Sequence, residues 1–263
     1  GEMSYMERNF DLRTNPQLLH QGTKSIISFS YNYFTEMDPK DQKKIKISKY
    51  AQGRDYHKVV KNKLKQVIQW LQIEIGDINA RAFVDSAPVM EREWAKRSGI
   101  GWVGKNSLLL TKSKGSFFFL GEIFLDVELE YDSPVKNYCG SCTKCLDACP
   151  TKAIIEPYVV DSNKCISYLT IEYKKADLPD FYQQQNQGWA YGCDICQDVC
   201  PINSRATQHE TPDFTSPFEI HKFDASKWVN LTESEFHKIF HDSAVKRAGY
   251  QGLMRNIKAI TKK

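Results

Sequence analysis

Eight cysteines, all in the second half of a 263-residue chain, limit what this sequence can fold into more than any other feature. The first four, Cys139, Cys142, Cys145 and Cys149, precede Pro150 and carry the C-x2-C-x2-C-x3-C-P spacing of bacterial ferredoxins. Three thiols on so tight a loop suit three corners of a 4Fe–4S cube. Disulfides would need an oxidising compartment, of which the sequence gives no sign. Zinc would want two separated C-x2-C pairs for each tetrahedral site. The second run, Cys193, Cys196 and Cys200 before Pro201, is one cysteine short of a full ferredoxin run. In two-cluster ferredoxins the fourth cysteine of a run ligates the other cube. Crossing over in this way assigns Cys139, Cys142, Cys145 and Cys200 to one cube. Cys149, Cys193 and Cys196 go to the other, and Cys165 completes it. Two cubes take eight thiolates, and no cysteine is left over.

The remaining composition is that of an ordinary globular protein, with 41% hydrophobic and 26% charged residues. No apolar run approaches the roughly 18 residues of a membrane helix, and Glu2, Glu7 and Arg8 stand where a leader would be apolar. The expectation is a cytoplasmic monomer with no membrane partner. A net charge of +4 does not argue for nucleic acid, but its distribution does. Residues 40–65 hold Lys40, Lys43, Lys44, Lys46, Lys49, Arg54, Lys58, Lys61, Lys63 and Lys65 against two aspartates. Residues 246–263 hold Lys246, Arg247, Arg255, Lys258, Lys262 and Lys263 against no acid. Either segment alone reads as a solvated face; two in one chain point to a polyanionic partner.

The pattern predicts an α+β fold in three parts: a mixed α/β domain over 1–134, the cysteine module over 135–205 and a helical segment over 206–263. Residues 24–33, 81–84, 106–111 and 116–130 read as strands. Over 55–75, Val59, Val60, Leu64, Val67, Ile68, Leu71 and Ile75 recur at helical spacing, with lysines on the opposite face. Ser86 followed by Pro88 predicts a capped helix running to about Ser98, and 226–241 and 243–260 predict two closing helices. Gly99-Ile100-Gly101-Trp102-Val103-Gly104 matches G-x-G-x-x-G, but a helix precedes it and a strand follows, the reverse of a dinucleotide site. It reads instead as backbone brought close to something bulky. Asp85, between a strand and a helix, is a capping carboxylate or a functional acid. His57 is a surface histidine or part of a site.

Three stretches resemble epoxyqueuosine reductases: Ala51-Gln-Gly-Arg-Asp-Tyr-His57, Val84-Asp85-Ser86-Ala87-Pro88 with its continuation through Glu91-Arg92-Glu93 to Asn106, and Ala244-Val-Lys-Arg-Ala-Gly249. The resemblance implies a cobalamin-binding α/β domain fused to a ferredoxin-like domain with two 4Fe–4S clusters. It also implies reduction of epoxyqueuosine to queuosine at the tRNA wobble position, with electrons from a low-potential ferredoxin- or flavodoxin-like donor. It makes Asp85 the proton donor, with its pKa raised by burial, and puts Tyr56, His57 and Arg92 around it. It carries cofactor contacts onto Arg8, Ser48, Asp85, Gly104, Lys105, Asn106 and Ser107, for a base-off cobalamin without a histidine under cobalt. With tRNA as the polyanionic partner, the second basic segment puts contacts at Lys246 and Arg247, and Tyr173, Lys174 and Lys175 beside Cys165 are a further candidate contact. Two other readings are a cobalamin-dependent reductase of a small organic substrate, as in reductive dehalogenases, and a plain electron-transfer module.

Overall fold

The computed structural model describes all residues except 1, 2, 4, 37–44, 216–219, 262 and 263, and only the backbone of 5, 6 and 221. Lys40, Lys43, Lys44, Lys262 and Lys263 therefore lie outside the described residues. The chain opens on three short helices, α1 (Tyr5–Arg8), α2 (Phe10–Thr14) and α3 (Pro16–Leu19). It continues through strand β1 (Ser25–Asn32), the short β2 (Lys46–Ile47) and helix α4 (Tyr56–Ile75). Asp55 starts α4 by accepting the His57 N–H, and Gly76 ends it at φ +91°. Next come β3 (Ala80–Phe83), α5 (Glu91–Arg97), the hairpin of β4 (Trp102–Val103) and β5 (Leu109–Leu110), and β6 (Phe118–Leu125).

Strand β6 runs antiparallel between β1 and β3, so that Glu122 faces Ser28 on one side and Phe83 on the other. Helix α4 covers one face, burying Val59, Val60 and Leu64 against Phe119 and Ile123. Gly121 lets it settle there, since a Cβ at that position would lie 2.8 Å from Leu64 Cδ1. On the other face, Phe83, Val89 and Phe124 pack with Trp94 of α5. The predicted lysine face of α4 is outward, with Lys58, Lys61, Lys63 and Lys65 exposed, but its last turn leaves the core and Ile75 is exposed too.

The cysteine module contains α6 (Lys144–Asp147), β7 (Ile154–Glu156), β8 (Val159–Val160), α7 (Ile166–Ile171), α8 (Asp180–Gln185), β9 (Trp189–Tyr191) and α9 (Ile195–Asp198). Helices α10 (Ala225–Val229), α11 (Glu233–Phe240) and α12 (Gly249–Thr261) close the chain. Strand β9 pairs in parallel with β2. Around that pair Ile45, Ile47 and Ala51 share one core with Tyr191, Trp228, Phe236, Leu253, Ile257 and Ile260. No helix among the described residues is long and apolar enough to cross a membrane.

Four expectations are corrected. The helix expected from Ser86 begins at Glu91, without a side-chain cap. Pro88 disfavours the helical conformation in the residue before it, Asp85 takes φ +43°, and the Ser86 hydroxyl turns back to the Val84 carbonyl. The expected helix 226–241 is two, because Thr232 and Glu235 form a capping box that starts α11 anew. The last expected strand stops at Leu125, and the one expected over 106–111 shrinks to Leu109–Leu110. The bulky neighbour of the glycine run is the chain itself: a Cβ on Gly101 would collide with the Leu110 carbonyl oxygen. That clash is backbone against backbone and no rotamer relieves it. Gly101→Ala should therefore cost about 3 kcal/mol, seen as a lower denaturant midpoint; an unchanged midpoint would mean that the hairpin yields freely.

Candidate functional site

Asp85 sits in the loop between β3 and α5, and two side chains from the first turn of α4 converge on it. Tyr56 Oη donates to Asp85 Oδ2 at 2.7 Å, and His57 Nε2 lies 2.9 Å from the same oxygen. The other ring nitrogen, Nδ1, is 2.7 Å from Asp55 Oδ1. The Tyr56 ring is held flat on Phe119 of β6, centroids 4.2 Å apart. Consecutive helical residues diverge in direction, but at a helix start both can reach one loop. The strand–loop–helix order thus assembles Tyr56, His57 and Asp85 at the sheet's edge, with the Asp85 carboxylate half exposed.

The electrostatics reverse the expectation for Asp85. Burial would raise its carboxyl, but the hydrogen bonds from His57 and Tyr56 outweigh burial and hold it below the usual carboxylate range. Burial would lower His57, yet its bonds to Asp55 and Asp85 push it up to about 9. In this arrangement the site's proton rests on His57, between two carboxylates. Beside Asp85 the raised carboxyls are Glu91 and Glu122, to neither of which the sequence assigns a role. Glu91, whose Oε1 accepts the Asp85 N–H at 2.5 Å, is pushed by burial up to about 7. Fully buried Glu122 is pushed by burial and by the Glu91 charge up to about 10. The available signal for Glu122 was one acid inside the apolar run Phe117–Leu125.

The eight cysteines are all free thiols and fall into two neighbourhoods. Cys139, Cys142, Cys145 and Cys200 together line a cavity of ≈ 130 Å³. Cys165 feels the charge of Cys149, Cys193 feels those of Cys196 and Cys165, and Cys196 feels those of Cys165 and Cys149 and also that of Cys145 from the first group. The thiols surround space rather than converge on a point: among the described residues no three His, Cys, Asp or Glu side chains are close enough for a single metal ion. The two donor sets fit two 4Fe–4S cubes.

Several expected cofactor contacts are engaged around this module. Lys105 Nζ donates to the Gly140 and Cys142 carbonyls, at 2.7 and 2.9 Å. Asn106 Nδ2 reaches the Cys196 carbonyl at 3.4 Å, and Ser107, at φ +64°, donates to the Tyr158 carbonyl at 2.8 Å. Gly104 N–H closes the hairpin onto Leu108. Ser48 is buried and donates to Asp194, beside Cys193. Arg92 donates to the Ser107 carbonyl, and Arg8 is exposed on α1.

The expected tRNA residues do come together. Lys174 donates to the Arg247 carbonyl at 3.0 Å, and Arg247 makes a two-pronged ion pair with Glu172. Arg255 holds the loop through the Tyr173 and Lys175 carbonyls. Lys175 and Lys246 are exposed, and the Arg247 charge is felt at Asp85. Lys58 and Arg54 of the other basic segment are paired with Asp242.

Two family models match the chain: "Epoxyqueuosine reductase QueG, DUF1730" over residues 13–86 and "4Fe-4S double cluster binding domain" over residues 138–203. The chain is 51% identical over 257 residues to the epoxyqueuosine reductase of Cellulophaga algicola, covering 98% of this chain and 83% of that one. It superposes at TM-score 0.83 and 30% identity on an epoxyqueuosine reductase crystallised with an epoxyqueuosine-modified tRNA-Tyr stem loop, covering 98% and 74% of the two chains. A Bacillus subtilis epoxyqueuosine reductase, its catalytic aspartate loop swung out of the active site, superposes at TM-score 0.85 and 32% identity, covering 95% and 68%. With near-complete coverage by such relatives and a double-cluster module in which all eight thiols gather in two sets, the chain belongs to the epoxyqueuosine reductase family of oxidoreductases.

Proposed function

We propose that this protein reduces epoxyqueuosine to queuosine in tRNA, with Asp85 at the centre of the proton chemistry. The observation that carries the reading is the meeting of Tyr56 and His57 on one Asp85 oxygen, within electrostatic reach of Arg247. Reductive removal of an epoxide oxygen consumes two electrons and two protons and releases water. Two 4Fe–4S clusters, held by Cys139, Cys142, Cys145 and Cys200 and by Cys149, Cys165, Cys193 and Cys196, would supply single electrons from a low-potential donor. Cobalamin bound beside Asp85 would supply a cobalt centre able to take up those electrons. The fit is that both ring nitrogens of His57 are committed to carboxylates, which agrees with a corrinoid bound without a histidine ligand.

The protein's own residues handle the protons. His57 holds one at Nε2 against Asp85, Tyr56 fixes the carboxylate's orientation, and Asp85 passes the proton to the oxygen that leaves. Arg92 is exposed nearby and borders the substrate, while Ser48, Gly104, Lys105, Asn106 and Ser107, on the wall towards the clusters, would hold the cofactor. Tyr173, Lys174, Lys175, Lys246 and Arg247 contact the tRNA, and Arg8 flanks the cofactor. This reading keeps the division at 134/135 and 205/206 and a monomer in the cytoplasm. The test is single-turnover conversion of an epoxyqueuosine-containing anticodon stem loop by cluster- and cobalamin-loaded, pre-reduced protein. Loaded protein that leaves the epoxide untouched would overturn the proposal and favour a small-molecule reductase or an electron carrier.

Charge reversal at Lys175 and Lys246 should weaken stem-loop binding and flatten its salt dependence by about one in slope per lost phosphate contact. Equal slopes for variant and parent, measured by titration at several salt concentrations, would place the phosphate contacts elsewhere.

A further inference from the structure

Two carboxyls meet behind the Asp85 loop, on the α5 face of the sheet. Glu122 is fully buried, and neither of its oxygens has a hydrogen-bond donor. Ser28, directly opposite on β1, carries a buried hydroxyl in the same state. Glu91, at the start of α5, is the charged group that acts on Glu122, and its Oε1 accepts the Asp85 N–H. Two ionised carboxylates have only acceptors to offer each other. One proton between them converts the repulsion into an O–H···O bond. Asp85 itself is in the left-handed region, at φ +43°, a conformation that persists only when its surroundings hold it.

We propose that Glu91 and Glu122 form a shared-proton latch that holds the Asp85 loop where its carboxylate meets Tyr56 and His57. The chain of contacts runs from protonated Glu122 to Glu91, and from Glu91 to the Asp85 N–H. Both are positioning residues, since they act through Asp85. When the pair loses its proton, the two buried charges repel, Glu91 turns away and the Asp85 N–H is released. The charged groups facing the pair are Asp85 and His57 from the site and Arg92 from α5. Arg81 of β3, on the same face, is turned to the Leu19 carbonyl. Glu93 of α5 is paired with Lys96 and Arg97.

The latch rests on the reading of Asp85 as the acid, and two measurements on the full, cluster-loaded chain separate them. The first is hydrogen-exchange protection of residues 85–90. Glu91→Ala should lower it by tenfold or more while β6 and the cysteine module keep theirs. Glu91→Gln, whose amide still accepts from Asp85 and donates to Glu122, should restore it. In the parent, protection of this loop should fall as pH rises through the ionisation of the pair. In Glu122→Gln, whose amide donates at every pH, it should not. The second is the pH profile of single-turnover reduction, whose alkaline limb should move upward in Glu122→Gln. His57 titrates in the same range but is left in place, so the difference between parent and variant reads the latch. Unchanged protection in Glu91→Ala, or loop protection in Glu122→Gln that falls with pH as in the parent, would overturn the latch. Loop protection that behaves as expected without any response in the reduction rate would leave the latch standing and remove Asp85 as the acid.

Discussion

Asp85→Asn should leave the clusters and the fold in place and lower single-turnover epoxide reduction by roughly 10²–10⁴-fold. The asparagine oxygen can still accept from Tyr56 and His57, so the constellation keeps its shape, but it loses the charge and the ability to carry a proton. Its effect should also appear without substrate. Asp85 is one of two carboxylates that lift His57 to about 9, so the imidazole should titrate lower in the variant, as read by NMR. The linkage has a definite sign. A histidine raised on folding contributes stability that is complete below its ordinary value of 6.5 and is lost as pH rises through about 9. Asp85, lowered on folding, contributes stability present above its ordinary 3.8 and lost as pH falls below that. Asp85→Asn should flatten both limbs. A normal rate in Asp85→Asn would pass the acid's role to His57, which already carries the proton.

Replacing Cys200 should empty a cluster whose other ligands lie some sixty residues earlier, and abolish turnover. The four thiols around the cavity are Cys139, Cys142, Cys145 and Cys200, so Cys200→Ala should cut iron from roughly eight to roughly four per chain in anaerobically prepared protein. Cys165→Ala should remove the other half. Electron supply then stops in either variant, and reduction from the external donor should fall below detection. Analysis of iron, sulfide and zinc decides the matter: about two zinc ions with no sulfide would sink the cluster assignment, and loss of all iron from Cys165→Ala would show the cubes to be interdependent.

What could be read beforehand follows the range of the interactions. The cysteine spacing is local and chemical, so two sets were visible as soon as the ligands were counted. The periodicity of α4 and the apolar run of β1 are likewise local. Ser86 and Pro88 imitate a helix start, so the sequence overstates the length of α5, while the chain uses residues 85–90 to present Asp85. The sign of the Asp85 shift is not legible locally, because it depends on Tyr56 and His57, nearly thirty residues away, arriving on the same oxygen. Nothing within its own strand shows that Glu122 has Glu91 behind it. The bond of Lys105 to the cysteine loop is equally illegible, because only the tertiary fold brings its ammonium to the Gly140 and Cys142 carbonyls.

The parallel pairing of β2 with β9 has a consequence for biosynthesis. Lys46 meets Trp189 in that pair, and the core around it includes Leu253, Ile257 and Ile260 of the last helix. A ribosome making this chain therefore releases Ile45, Ile47 and Ala51 long before their partners exist, and such distant pairings form late. All eight thiols emerge during that interval, on a nascent polypeptide whose central scaffold is still open. Iron and sulfide would then reach their ligands before the scaffold closes, and an oxidant present during translation would find cysteines that the finished molecule keeps partly covered.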